Sequence, residues 1–280
     1  MALKITHEIQ YFYDQAVFLE PHILNLMPHP VQNQQVLSYE CIIDPGPEGV
    51  TYNENASGFS NQLIWFETTV RKLYVESIMV VELEEYNPFS FFIHPISGVD
   101  IPMTYVKEEA LLLRPYCQPM TQEWAVKAKA EELAKKAGFH TVSFLTHTSN
   151  WIHDHFQYEI RDEGDAYTSD ETLKKEKGSC RDLAVLFMDF CRHMGLAARF
   201  VSGYYVNEKE SLELHAWVDV YIPGAGWRGF DPTHGVGCFG KHITLTAAHD
   251  SVLCAPILGT FRGEAKATMK TNLTLAHQVD

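Results

Sequence analysis

The stretch KKEKGSCRDLAVLFMDFCRHMG, Lys174–Gly195, decides how the chain is read. Leu183, Leu186, Phe187, Phe190, Cys191 and Met194 recur at the spacing of one helical face. Gly195 stands where such a helix would stop. The spacing predicts a buried amphipathic helix, with Cys180 at its mouth behind Gly178 and beside Arg181 and Asp182. Cys180 is also in phase with the apolar face, so its sulfur is expected to point toward whatever the helix packs on. The first turn of a helix offers free backbone N–H groups and the positive end of the dipole, which favour a thiolate and can stabilise an oxyanion. Gly178 removes a side chain where a substrate backbone could approach.

A thiol nucleophile needs a base, and the base needs an orienting group. The stretch LHAWVDVYIPGAGWRGFDPTHG, residues 214–235, reads as a β-hairpin that supplies both. Ala216, Val218, Val220 and Ile222 share one face; His215, Trp217, Asp219 and Tyr221 share the other. If the turn is centred on Pro223, His215 stands directly opposite Asp231, with Cβ atoms about 5 Å apart. Cysteine at a helix entrance, then histidine and aspartate on facing strands, is the arrangement of Cys-His-Asp acyl transfer. Asp182 reads as a helix-terminus acid. Arg181 is left open between pairing and substrate contact, and Trp217 and Trp227 between walling a cleft and covering the sheet.

At 280 residues with 46% hydrophobic content, the chain is long and apolar enough for a large core. A net charge of −14 argues against a nucleic-acid partner, whose phosphates call for a basic face. No stretch approaches the roughly 18 apolar residues of a membrane span, and the opening MALKITHEIQYFYDQ lacks a signal-peptide pattern. A cytoplasmic location without a membrane partner is expected. The six cysteines (Cys41, Cys117, Cys180, Cys191, Cys238, Cys254) are too sparse for a disulfide framework, and none forms a CxxC pair. Free thiols are expected, Cys191 as plain packing. His147, His153 and His155 are spread by helical spacing and cannot converge on one ion, so no metal or other cofactor is expected.

Residues 1–105 alternate with period two, as in RKLYVESIMVVELE and KITHEIQYFY, with turn clusters DPGPEG and NENASGFSN between runs. This predicts an all-β, sandwich-like module. Residues 106–280 change texture: TQEWAVKAKAEELAKKAG reads as a helix with Thr121 as N-cap and Gly138 as stop, and SFLTHTSNWIHDHF as a second helix with one buried stripe. β runs follow the third helix, up to the tail AKATMKTNLTLAH. Helices followed by an antiparallel sheet indicate an α+β unit.

The segments GSCRDLAVLFMDFCRHMGLAARFVSGYY and HAWVDVYIPGAGWRGFDPT closely resemble the transglutaminase-like superfamily, in particular bacterial members described provisionally as cysteine proteases. The match extends upstream through FQYEIRDEGDAYTSDETLKKEKG, and ITHEIQYFYDQ with NENASGFSN resembles that family's N-terminal β-module. The resemblance implies a papain-like core, a helix on an antiparallel sheet, with Cys180 as nucleophile, His215 as base and Asp231 as orienting acid. It implies a peptide or protein amide substrate and a thioacyl intermediate. Water as acceptor would make the enzyme a peptidase or amidase; an amine would make it a transglutaminase. Hydrolysis is favoured by the bacterial branch, and an inert peptide-binding scaffold of the same fold is the rival. Asn150 and Trp151 are candidates for an oxyanion donor, and Gly178 and Trp217 for substrate contact. Ser179 stands where the family often carries valine, and the calcium sites of animal transglutaminases have no counterpart.

Overall fold

The computed structural model describes residues 2–161, 164–207, 209 and 211–277. Its N-terminal part follows the alternation. Strands β1 (Ala2–Leu19), β2 (His22–Leu24), β3 (Gln34–Asp44), β4 (Gly49–Glu54), β5 (Ser60–Trp65) and β6 (Thr69–Leu83) divide between two antiparallel sheets. In β6 every second side chain is buried: Leu73, Val75, Ser77, Met79, Val81 and Leu83. β1 does the same with Leu3, Ile5, His7 and Ile9. Tyr13, Leu19 and Leu73 of one sheet meet Leu24 and Ile64 of the other, the core of a sandwich.

Among the described residues five α-helices come next: α1 (Lys107–Leu113), α2 (Trp124–Lys136), α3 (Thr141–His155), α4 (Ser169–Lys175) and α5 (Cys180–His193). Two short parallel strands, β7 (Gln157–Tyr158) and β8 (Lys177–Gly178), flank α4. The N-cap of α2 is Glu123; Thr121 instead accepts from the Glu123 backbone N–H in a turn ahead of the helix. Gly138, at φ +66°, ends that segment as expected.

The core sheet is formed by β9 (Ala198–Val206), β10 (Leu212–Ile222), β11 (Gly226–Asp231), β12 (Val236–Gly237) and β13 (His242–Ala248), in the order β12-β11-β10-β9-β13. Ala216, Val218, Val220 and Ile222 pack with Leu183, Leu186, Phe187 and Phe190 of α5, so the two apolar stripes read from the sequence meet each other. Strand β13 was not singled out in the sequence, because all seven of its residues are buried and it does not alternate.

The tail corrects the sequence reading. Expected within the unit 106–280, its strands β14 (Ile257–Leu258) and β15 (Phe261–Arg262) instead join the two sandwich sheets, and β16 (Ala267–His277) pairs with β1 from Tyr13↔Ala267 to Leu3↔His277. Its alternating pattern fits either sheet, and pairing with β1 is a long-range choice that local sequence does not carry. Leu3, Ile5, Met79 and Val81 of the sandwich also pack on Tyr204, Ile243 and Leu245 of the core sheet. Among the described residues no helix is long and apolar enough to cross a membrane.

Candidate active site

The chain enters α5 through Ser179, its N-cap, with Cys180 as the first helical residue. Asp182, fully buried, accepts from the Ser179 backbone N–H at 2.7 Å and from its hydroxyl at 2.9 Å. Its other oxygen accepts from Arg161 and from the Tyr167 N–H, both at 2.6 Å. Burial alone would raise this carboxyl, but these donors outweigh it and hold it below its ordinary value. Asp182 is thus more than a dipole partner: it ties Arg161 and Tyr167 to the helix entrance. Arg181 donates to the carbonyls of Gly164 and Arg161. Gly178 has a different reason from the one expected. A Cβ there would lie 2.7 Å from the Cβ of Asp182, so its missing side chain makes room for the acid that caps α5.

The Cys180 thiol is nearly buried and lies beside the imidazole of His215, itself 3% exposed, close enough to act on its charge. The other side of that ring is taken: Nε2 donates to Asp231 Oδ2 at 2.8 Å, leaving Nδ1 for the sulfur. Burial disfavours a charged imidazole, but the charge and hydrogen bond of Asp231, with the sulfur adding to them, push His215 up to about 10. Asp231, fully buried, is held well below its usual range against the cost of burial.

The hairpin register differs from the expected one. Ile222 pairs with Gly226 and Val218 with Phe230, so the turn is centred on Gly224, not on Pro223. Gly224 and Gly226 have φ of +80° and +77°, left-handed backbone that builds the wider turn. The slip is of two residues, which keeps parity. Asp231 therefore stays on the His215 face and reaches the imidazole diagonally.

Two residues absent from the sequence reading converge on the same carboxylate. His234 Nδ1 and His242 Nε2 lie 2.8 and 2.9 Å from Asp231 Oδ2, while Oδ1 accepts the backbone N–H of Thr233 and of His234. His234 stacks on Tyr205 with ring centroids 4.3 Å apart. Its place in the DPTHG turn, three residues past Asp231, was a local signal. His242 reaches the site from β13, across the sheet, and no local pattern announces it. His215, Asp231 and His234 bring three ligand-type atoms within 4.8 Å of one another, a donor set of the kind zinc takes. Both nitrogens are engaged with Oδ2.

Tyr158 is a third addition. It pairs with Gly178 across β7 and β8, which sets its phenol near the Cys180 sulfur. Burial first, then the sulfur and nearby acids, raise that phenol above its ordinary value. The expected oxyanion candidates make other contacts. Trp151 packs on Phe156 and Phe190, the latter ten residues along α5 from Cys180, with Lys129 over its ring. Asn150 is exposed and faces Gly235 in the turn after Asp231. Trp217 is buried with Phe59, Val201 and Cys238 on the sheet face away from α5. Of the helical histidines, His153 and His155 bond separately to the carbonyls of Thr233 and Trp151.

Residues 127–232 match the model of the transglutaminase-like superfamily, and residues 3–82 that of the bacterial transglutaminase-like N-terminal region. An uncharacterized protein of Mycobacterium tuberculosis is 24% identical over 277 residues, covering 91% of this chain and 86% of its own. One of Mycobacterium leprae is 29% identical over 100 residues, 33% of this chain, which there span about a third (35%) of the relative. The crystal structure of a protein from Cytophaga hutchinsonii, described provisionally as a cysteine protease, superposes with a TM-score of 0.73 at 20% identity over 100% of this chain and 92% of that one. With both family regions matched in order, and the fold shared over its whole length, the chain belongs to the transglutaminase-like superfamily.

Proposed function

We propose that the protein is a cysteine-dependent acyl-transfer enzyme that cleaves an amide bond in a peptide or protein. The observation that carries this reading is the Cys180 thiol at the entrance of α5, beside a buried imidazole that is hydrogen-bonded to Asp231. An imidazolium beside a sulfur favours the thiolate, the form that attacks. Cys180 Sγ adds to the amide carbonyl, and the oxyanion is met by the first-turn N–H groups of α5 and by the Tyr158 phenol. His215 gives its Nδ1 proton to the leaving nitrogen, the C–N bond breaks, and a thioester on Cys180 remains. The now neutral ring takes a proton from water as the hydroxide attacks, and collapse returns the sulfur and releases the acid. Asp231 holds the ring in place, and His234 and His242 hold Asp231. Hydrolysis is preferred to amine transfer because the matched N-terminal region is that of the bacterial group.

The test is iodoacetamide alkylation of Cys180 against pH, followed by peptide mass spectrometry. Modification that outpaces the other five cysteines, and that slows in His215→Ala, is expected. Alkylation no faster than theirs and indifferent to His215 would sink the enzyme reading in favour of a peptide-binding scaffold.

A further inference from the structure

The sheet face opposite α5 carries a feature that the proposed chemistry does not use. A cavity of about 300 Å³ lies there, between the turn at Val31, Gln32 and Asn33 of the sandwich and strands β9, β10, β11 and β13. Its walls include the aromatic rings of Tyr86, Trp217 and Trp227, with Arg199, Arg228 and Asp219 between them. Two guanidiniums against one carboxylate make it a cationic spot in a chain of net charge −14. Arg199 is tied to Asp219 through Nε and Nη2. Among the described residues, Arg228 uses Nη1 for Gln32 and the Trp227 carbonyl. Guanidinium N–H groups therefore remain to take a carboxylate.

The second observation is His242, which lines the same cavity and is 5% exposed. Its Nε2 is engaged by Asp231, and its Nδ1 is buried without a hydrogen-bond partner among the described residues. A buried polar atom in that condition costs free energy until something satisfies it. Burial keeps the ring neutral, so Nδ1 is an acceptor and calls for an N–H or O–H donor.

We infer that this cavity is a binding site for a small carboxylate that also carries an N–H donor, an amino acid or the C-terminal residue of a short peptide, with the carboxylate on Arg228 and the N–H on His242 Nδ1. Its volume suits a ligand of that size, and sites of this kind are common where two units of a fold meet. Because His242 binds Asp231 on its other side, occupancy is felt at the carboxylate that holds His215. This second half rests on the proposed function; the binding itself does not.

The experiment follows tryptophan emission, Trp217 and Trp227 being in the wall, while the intact chain is titrated with N-acetylglycine, acetate and glycinamide. N-acetylglycine is expected to give a saturable change, acetate a weaker one, and glycinamide, which lacks the carboxylate, none. Arg228→Gln, on a part-exposed side chain, is expected to weaken N-acetylglycine about tenfold while leaving the thermal midpoint near that of the parent; should it fail to fold, Gln32→Ala serves in its place. The titration is repeated on chain already alkylated at Cys180, where the change must persist if the ligand sits in this cavity. A change that does not saturate, that is unmoved by the substitution, or that disappears on alkylation overturns the site. Saturating N-acetylglycine is also expected to alter the rate of Cys180 alkylation about fivefold in the parent and not in Arg228→Gln; an unaltered rate overturns the coupling. If alkylation proves slow and indifferent to His215, the catalytic reading fails while the emission titration still decides the cavity.

Discussion

His7 in the sandwich and His215 in the core sheet are buried to nearly the same degree, 1% and 3% exposed, yet they end in opposite protonation states. His7 has a hydroxyl on each nitrogen, Tyr204 on Nδ1 and Thr271 on Nε2, both at 2.9 Å. Burial alone then decides, and the ring is lowered to about 4. His215 has a carboxylate where His7 has Thr271, and it is pushed up to about 10. Burial does not make a histidine acidic or basic. It magnifies whichever neighbour is present, because low polarity around the ring strengthens both the desolvation cost and the attraction of a counter-charge. The first histidine is a neutral cross-link between β1, β9 and β16; the second is a charged group beside a thiol.

The sharpest way to break this contrast is Asp231→Asn. Without its counter-charge His215 should come to resemble His7, its NMR titration midpoint falling from about 10 to below the ordinary value of about 6.5; a midpoint still near the parent's would mean that another group charges the ring. The next effect is on stability and has opposite signs for the two residues. His7, lowered on folding, opposes the folded state as the pH falls from about 6.5 through about 4, a loss on the order of 3 kcal/mol that His7→Gln should reduce in urea melts. His215, raised on folding, contributes stability that is whole below about pH 6.5 and is lost as the pH climbs toward about 10. The difference in midpoint between parent and Asp231→Asn should therefore shrink across that alkaline range. Thr271→Asp, at an exposed position, would supply His7 with the neighbour it lacks and should raise its titration by about one to three pH units. The smallest change is expected of His234→Asn, which removes one of three ring donors to Asp231 Oδ2 and should shift His215 by less than about one pH unit while slowing Cys180 alkylation only slightly.

Much of this was legible because it is local. The stripe from Leu183 to Met194 and the alternation from Ala216 to Ile222 encode two faces that need only find each other, and the position of Cys180 follows from where the helix begins. The hairpin register was read two residues off, because Pro223 drew attention away from Gly224 and Gly226, whose left-handed backbone sets the turn. Parity rescued the pairing of His215 with Asp231. What the sequence hid is long-range. His242 meets Asp231 only because β13 lies beside β9, and Tyr158 meets Cys180 only because two-residue strands bring it alongside Gly178. Ser179, unusual against the resemblance, makes sense once Asp182 is seen to bind it.

The return of β16 to β1 also bears on how the protein is made. One edge of β1 is covered by β6, which follows within the first 83 residues, but most of its other edge waits for residues 267–277. On the ribosome that row of backbone donors and acceptors stays open while nearly everything else is synthesised, free to recruit a strand from a neighbouring nascent chain. A circular permutant that joins His277 to Leu3 through a short loop, and begins just before β16, would turn the most distant pairing in the molecule into a hairpin and close that interval.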